Sequence, residues 1–207
     1  MARTDARGGP RTRARIAEIA AGLFHERGFD AVTVAEVARA AGVSSVTVFK
    51  HFPRKEDLFL DRSADAAGLL RAAVRDRAPG TDALDALHAA ARRLLDERHP
   101  LSGLNDRSVP FFRTVAGSPA LLARAREIAA ELQAVLAGEL DRDPAFDGDA
   151  TLLAAFFIAG YGAVLVETAR RLVAGDPRDA VLADHRARFD RLFTALRTGV
   201  APAPNDR

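Results

Sequence analysis

Cysteine is absent from the 207 residues, which excludes disulfides, thiolate metal sites and cysteine nucleophiles. Tryptophan is absent too, Tyr161 is the single tyrosine, and lysine occurs only as Lys50 and Lys55. The other basic residues are arginines; together with the abundant alanine they fit a GC-rich coding bias better than a function. Strand-like alternation is nearly missing. It appears only around Val46–Val48, too briefly to found a sheet. The longest apolar run, Leu152–Val166, falls short of the roughly 20 residues needed to span a bilayer. The opening MARTDARGGPR has no apolar stretch of the kind a secretory leader carries. The expectation is a cytoplasmic protein with no membrane contact.

With apolar residues at 48% of the chain, a sizeable core can form and wholesale disorder is excluded. The periodicity is helical throughout. Ile16, Ile19, Leu23 and Phe24 mark an amphipathic helix over about 11–27, with Gly28 placed to end it and Phe29 packing back. Thr33-Val-Ala-Glu36 is a capping box opening a short second helix, with Val34, Val37 and Ala38 inward. Gly42 ends that helix, and Ser44 or Ser45 caps a third through about His51. After Pro53 a fourth helix is expected from near Lys55 to about Arg77. Further helices are expected at about 81–98, 105–116, 119–140, 150–174 and 178–198, separated by Pro- and Gly-containing breaks. The fold class is therefore all-α, with about nine helices. No repeat recurs at solenoid periods.

Charge is uneven. Residues 1–62 hold eleven Lys and Arg against eight Asp and Glu, whereas the whole chain carries a net +2. Arg3, Arg7, Arg11, Arg13 and Arg15 face only Asp5 at the start, a basic stretch able to attract phosphates. The expected division is a flexible basic arm at 1–10, a head at 11–60, a larger helical body at 61–199 and a disordered tail at 200–207.

Two short helices joined by the tight turn Ala41-Gly42-Val43-Ser44 make a helix-turn-helix. Val48 and Phe52, four apart, point inward. Ser45, Val46, Thr47, Lys50 and His51 are left on the outer faces. Small hydroxyls near a helix start can approach phosphates or base edges, lysine reaches guanine O6/N7, and valine can touch a thymine methyl. Lys55 reads as a phosphate anchor. Each residue alone also has a purely structural reading: a cap for the serines, a solvated surface for Lys50, a carbonyl partner for His51. Their joint spacing is what points to DNA.

The stretch TVAEVARAAGVSSVTVFKHFPRKEDLF resembles the DNA-binding signature of the TetR family of one-component regulators. The resemblance covers about residues 12–62. It implies that Thr33 caps the second helix and meets a phosphate, that Ser45, Val46, Thr47 and Lys50 face the major groove, and that His51 and Lys55 contact the DNA backbone. Ser44 is placed as a cap at the same edge. One departure stands out: the family usually has a tyrosine where this chain has Phe49, whose ring lacks the hydroxyl that touches a phosphate. Ala35 is also too short to reach a base.

The body is less explicit. Residues 152–166 are apolar on every face, which suggests burial against both the subunit's own core and a partner. Ala155, Ala159 and Ala163 form a small-residue ridge suited to close helix contact. In the last helix Leu182, His185, Phe189, Leu192 and Leu196 recur at 3-4 spacing, a seam-like stripe. Two such helices from each of two chains would make a four-helix bundle, and the family resemblance implies the same homodimer. A dimer would read two half-sites of a near-palindrome. Candidates for an effector pocket are His88, Phe111, Phe112, Arg113, Phe156, Phe157 and Tyr161. Their aromatic character suggests an apolar or aromatic small molecule, although core packing is the simpler account of each phenylalanine.

Enzyme motifs do not assemble. His25-Glu26 has no following histidine at zinc-protease spacing. The acidic loop Asp141–Asp149 lacks the order of a calcium loop. There is no phosphate-cradling glycine loop and no nucleophile elbow. No cofactor or metal is expected. The reading is a homodimeric, DNA-binding repressor released by a small-molecule effector. The alternatives are a regulator that activates or answers to a protein partner, and a helical interaction module without specific DNA binding.

Overall fold

A computed structural model describes residues 9–199; the expected basic arm up to Gly8 and the tail 200–207 lie outside the described residues. Among the described residues there are nine α-helices and two single 3-10 turns, with no strand. The helices are α1 (Gly9–Arg27), α2 (Val34–Ala40), α3 (Ser45–His51), α4 (Ser63–Arg75), α5 (Ala83–Asp96), α6 (Ser108–Gly117), α7 (Pro119–Asp141), α8 (Ala150–Ala174) and α9 (Arg178–Gly199).

The chain divides into two units. The first holds the residues up to Asp61 together with Thr114–Ala125, and the second holds Arg62–Arg113 and the chain from Arg126 onward. The first unit is the head. Ile16, Ala20 and Phe24 of α1, Val37 and Ala38 of α2, Val48 of α3, and Phe29, Val32, Ala41, Phe52 and Leu58 between helices form one buried cluster. Leu121 at the start of α7 is fully buried in the same cluster, with Val115 of α6 packed against it. The head therefore extends beyond the expected boundary at residue 60, through a segment whose sequence carries no signal for it.

Two boundaries differ from expectation. Gly9 and Pro10, assigned to the arm, already belong to α1; proline is tolerated in a first turn because its missing N–H has no intrahelical partner there. The fourth helix does not start at Lys55. The chain first makes a 3-10 turn at Glu56–Leu58, with the Arg54 N–H donating to Asp57 Oδ2 at 3.2 Å, and α4 begins at Ser63. Burial of Leu58 in the head core fixes that detour.

The second unit packs α4, α5, α7, α8 and α9 around Val74, Leu87, Leu136, Leu140, Leu153, Phe157, Val164, Phe189, Phe193 and Leu196. Helices α8 and α9 pair along their length, and Gly160 of α8 lies directly under Leu192 of α9. A Cβ at position 160 would occupy the space of the Leu192 Cδ1 methyl, so this glycine lets Leu192 pack directly on the α8 backbone. The acidic loop between α7 and α8 is structural. Asp143 pairs with Arg77 at 2.6 Å, and Asp149 accepts from the Leu152 N–H at 2.8 Å as the cap of α8.

The whole of α8, unlike its central apolar run, is long and apolar enough to cross a membrane by length and composition. One face of it is nevertheless buried in the core of the second unit through Leu153, Ala154, Phe157, Val164 and Thr168.

Candidate nucleic-acid interface

The helix-turn-helix is built by local chemistry before packing acts on it. The Thr33 and Glu36 pair forms the expected capping box: the Thr33 N–H donates to Glu36 Oε2 at 2.8 Å and the Glu36 N–H to Thr33 Oγ1 at 3.3 Å. The hydrogen bonds from Thr33 hold the Glu36 carboxyl down at a pKa of about 2, with help from Arg27 at 2.8 Å. The Thr33 hydroxyl itself donates to Glu36 at 2.8 Å, so it is engaged inside the box. Between α2 and α3, Gly42 takes φ +62°, a left-handed conformation that favours glycine. Ser44, not Ser45, caps α3: its hydroxyl accepts from the Thr47 N–H at 3.1 Å and lies 2.9 Å from the Thr47 hydroxyl.

Arginines of α1 brace this unit. Arg15 Nη2 donates to the Ala41 carbonyl at the turn. Arg13 donates to the carbonyls of His51 at 2.7 Å and Asp61 at 3.0 Å, and its guanidinium stacks over the Phe52 ring at 4.1 Å. In sequence both belong to a basic stretch able to attract phosphates. They are framework residues, and nothing in their spacing announced it.

Tertiary burial then sorts α3 into two faces. Val48 and Phe52 are buried. Val46 is 78% exposed and Phe49 49% exposed, and Lys50 is exposed beside them. These three lie at i, i+3 and i+4, hence on one face. Ser45, Thr47 and His51 are half-buried at its margins. Phe49 therefore does not help Phe52 anchor the helix; it points away from the head core. Lys55 is not a free charge. Its ammonium sits over the Phe29 ring at 4.3 Å and reaches the Asp30 carbonyl at 3.5 Å.

The seven candidate effector residues do not converge. Phe157 and Tyr161 belong to an aromatic interior, with Tyr161 at 4.9 Å from Phe189 and Phe157 at 5.8 Å from Phe193. The Tyr161 hydroxyl donates to the Leu101 carbonyl at 3.1 Å, and burial pushes its pKa up to about 12. His88 stacks on Phe193 at 4.2 Å and meets Asp190 at 3.0 Å, at the edge of an open groove of about 350 Å³ between α5 and α9. By contrast Phe111 and Arg113 are exposed on α6, with Phe112 half-buried beside Phe111, and Phe156 is exposed on α8. Phe111, Arg113 and Phe156 thus do not share an interior pocket with the others.

The expected seam of α9 lies mostly inward. His185, Phe189 and Leu196 are buried in their own chain; Leu192 packs on Gly160 and Leu182 on a small cluster with Leu95, Leu104 and Val181. Their 3-4 spacing marks the buried face of α9, because α8 of the same chain already supplies its partner. The outward apolar stripe is on α8. Leu152, Phe156, Ala159, Ala163 and Val166 are all exposed, at 4-3-4-3 spacing, with Ala155 half-buried alongside. Ala159 and Ala163 of the expected small-residue ridge fall on it, while the all-round apolar character of the run conceals which face remains open.

No group of three or more metal-ligating side chains occurs among the described residues. Residues 16–61 match the family model described as bacterial regulatory proteins, tetR family. The chain is similar to the HTH-type transcriptional repressor KstR2 of Rhodococcus jostii, 37% identical over 109 residues that cover 45% of this chain and 52% of that protein. It thus spans about half the length of that relative. It is 29% identical to the HTH-type transcriptional regulator TcmR of Streptomyces glaucescens, over 74% of this chain and 70% of that one. Among solved structures it resembles Thermus thermophilus FadR, a TetR-family transcriptional repressor in complex with lauroyl-CoA. That match has 26% identity and a TM-score of 0.55, covering 93% of this chain and 98% of that one. The capped helix-turn-helix and these likenesses agree: at residues 16–61 the chain carries the DNA-binding domain of the TetR family of bacterial regulatory proteins.

Proposed function

We propose that this chain is a sequence-specific transcriptional repressor of the cytoplasm. It works as a homodimer, and a small-molecule effector releases it from a near-palindromic operator. The observation that carries the reading is the outer face of α3, where Val46, Phe49 and Lys50 stand exposed on a helix whose opposite face is buried. A short capped helix held this way can enter a major groove and present side chains to base edges. Lys50 supplies the group that reaches guanine. Ser45, Thr47 and His51 flank it toward the sugar-phosphate backbone.

A homodimer is supported by the exposed α8 stripe, since five apolar residues at heptad-like spacing stand open to solvent. A dimer places two heads on one duplex, so that the binding free energies of two modest readers combine. A small effector is supported by the similar FadR protein, which holds lauroyl-CoA. The aromatic interior around Phe157, Tyr161 and Phe189 favours an apolar or aromatic ligand here. Such a ligand acts by binding one conformation of the dimer better than the other.

The test is fluorescence anisotropy of the purified protein on the intergenic DNA upstream of its own coding sequence, with excess unrelated duplex, at two salt concentrations. Binding that survives competition and weakens steeply with salt is expected. Binding lost equally to any competitor would remove the sequence-specific reading.

A further inference from the structure

We infer that α3 reads its half-site by apolar contact as well as by hydrogen bonding, with Val46 and Phe49 each covering the C5-methyl group of a thymine. This rests on the DNA-reading function proposed above. Most large apolar side chains of the head are buried in its core, yet these two stand out from it on a seven-residue helix, Val46 at 78% and Phe49 at 49% exposure. Neither carries a donor, so neither can bond a phosphate or the polar edge of a base. The apolar feature a major groove offers is the thymine methyl.

Spacing sharpens the inference. Residues three apart on a helix are displaced by about 4.5 Å along its axis and share a face. Successive base pairs rise by about 3.4 Å. Val46 and Phe49 therefore meet thymines at neighbouring base pairs or at most one pair apart. Lys50 is adjacent to Phe49 and one turn beyond Val46, so its ammonium falls next to the same step. The charge draws the helix to the groove, and the two apolar groups select what lies in it. The half-site is thus a pair of close thymines, on either strand, beside a guanine.

The full-length protein would be put through repeated rounds of binding to a pool of random duplexes, and the enriched duplex remade with each thymine replaced singly by deoxyuridine. That exchange removes the methyl and leaves every hydrogen-bonding group in place. Two positions per half-site, close together, are expected to lose about fourfold in affinity each, the scale of one buried methyl. Val46→Ala should abolish the penalty at one position and Phe49→Ala at the other, each leaving the remaining penalty intact. Phe49→Tyr should keep its penalty, because the ring is retained. Enrichment of a site that ignores deoxyuridine, or variants that weaken all duplexes alike and leave the penalties unchanged, would overturn the inference while sparing the DNA-reading function. Failure of any sequence to enrich would overturn both.

Discussion

Arg124 Nε lies 2.7 Å from Asp57 Oδ1, with both side chains largely withdrawn from water. The pair joins the first turns of α7 to the 3-10 turn that ends the head, 67 residues earlier in the chain. Leu121 and Ser118 act with it: Leu121 is fully buried in the head core, and the Ser118 hydroxyl donates to Asp30 Oδ1 at 3.2 Å. The head is thus completed by a segment the chain reaches only after α4, α5 and most of α6.

Arg124→Ala is expected to destabilise the head by about 3 kcal/mol, since it leaves the Asp57 carboxylate without its countercharge in a poorly solvated place, held only by the Arg54 N–H among the described residues. Thermal unfolding followed by circular dichroism measures it. A loss under about 1 kcal/mol would show the pair to be an ordinary surface contact.

Lys50 and Lys55 should separate by readout. Lys50→Ala is expected to relax base preference, costing on the order of 1–3 kcal/mol on the enriched site and little on unrelated duplex. Lys55→Ala should weaken binding to all sequences alike and flatten the salt slope by about one ion. It should also lower stability by about 0.5–1 kcal/mol, because the ammonium over Phe29 is lost. Binding isotherms at three salt concentrations, with and without specific sequence, check both.

The α8 stripe makes a prediction about assembly. Phe156→Glu and Val166→Glu each place a charge on the exposed face and leave the subunit core untouched. Sedimentation equilibrium should show a monomer for the double variant with unchanged helicity. The comparison is Ala183→Glu, on an exposed position of α9 outside the stripe, which should remain dimeric.

Gly160→Ala tests the α8–α9 contact. The added methyl overlaps the Leu192 side chain, so a loss of about 1–3 kcal/mol is expected from overpacking. Combining it with Leu192→Ala should relieve part of that loss, giving a favourable coupling in a double-mutant cycle.

His185 makes stability depend on pH. Its imidazole is buried, Nδ1 lies 2.7 Å from the Thr168 hydroxyl, and Nε2 has no hydrogen-bond partner among the described residues. Burial pulls its pKa from 6.5 down to about 4, with Asp184 opposing the shift weakly. The unfolded chain therefore takes up a proton that the folded chain refuses. Stability is unaffected above about pH 7, falls as pH drops from 6.5 toward 4, and loses nothing further from this group below that. The loss across the window is on the order of 3 kcal/mol. Urea titrations of the parent and of His185→Phe at pH 7.5 and 5 should show a smaller pH difference in the variant.

The sequence by itself determined the head's local structure and the all-α class. Thr33 with Glu36, and Gly42, act through bonds spanning three residues or a single backbone angle, so their identities and spacing suffice; between Ser44 and Ser45 as the cap of α3, only the structure chose Ser44. The 3.6-residue period likewise placed nine helices, with the main shift at the start of α4. What the sequence could not decide is which of two apolar faces meets its own chain. Residues 152–166 of α8 are apolar on every face, and only tertiary packing, with α9 laid against Gly160 through Leu192, decides which face is buried and which stays open. Nor could it pair Arg124 with Asp57, assign Arg13 and Arg15 to carbonyls across the head, or show that Phe49 turns away from the core while Phe52 fills it. Those outcomes depend on contacts between residues far apart in the chain, and burial rather than residue type sets them.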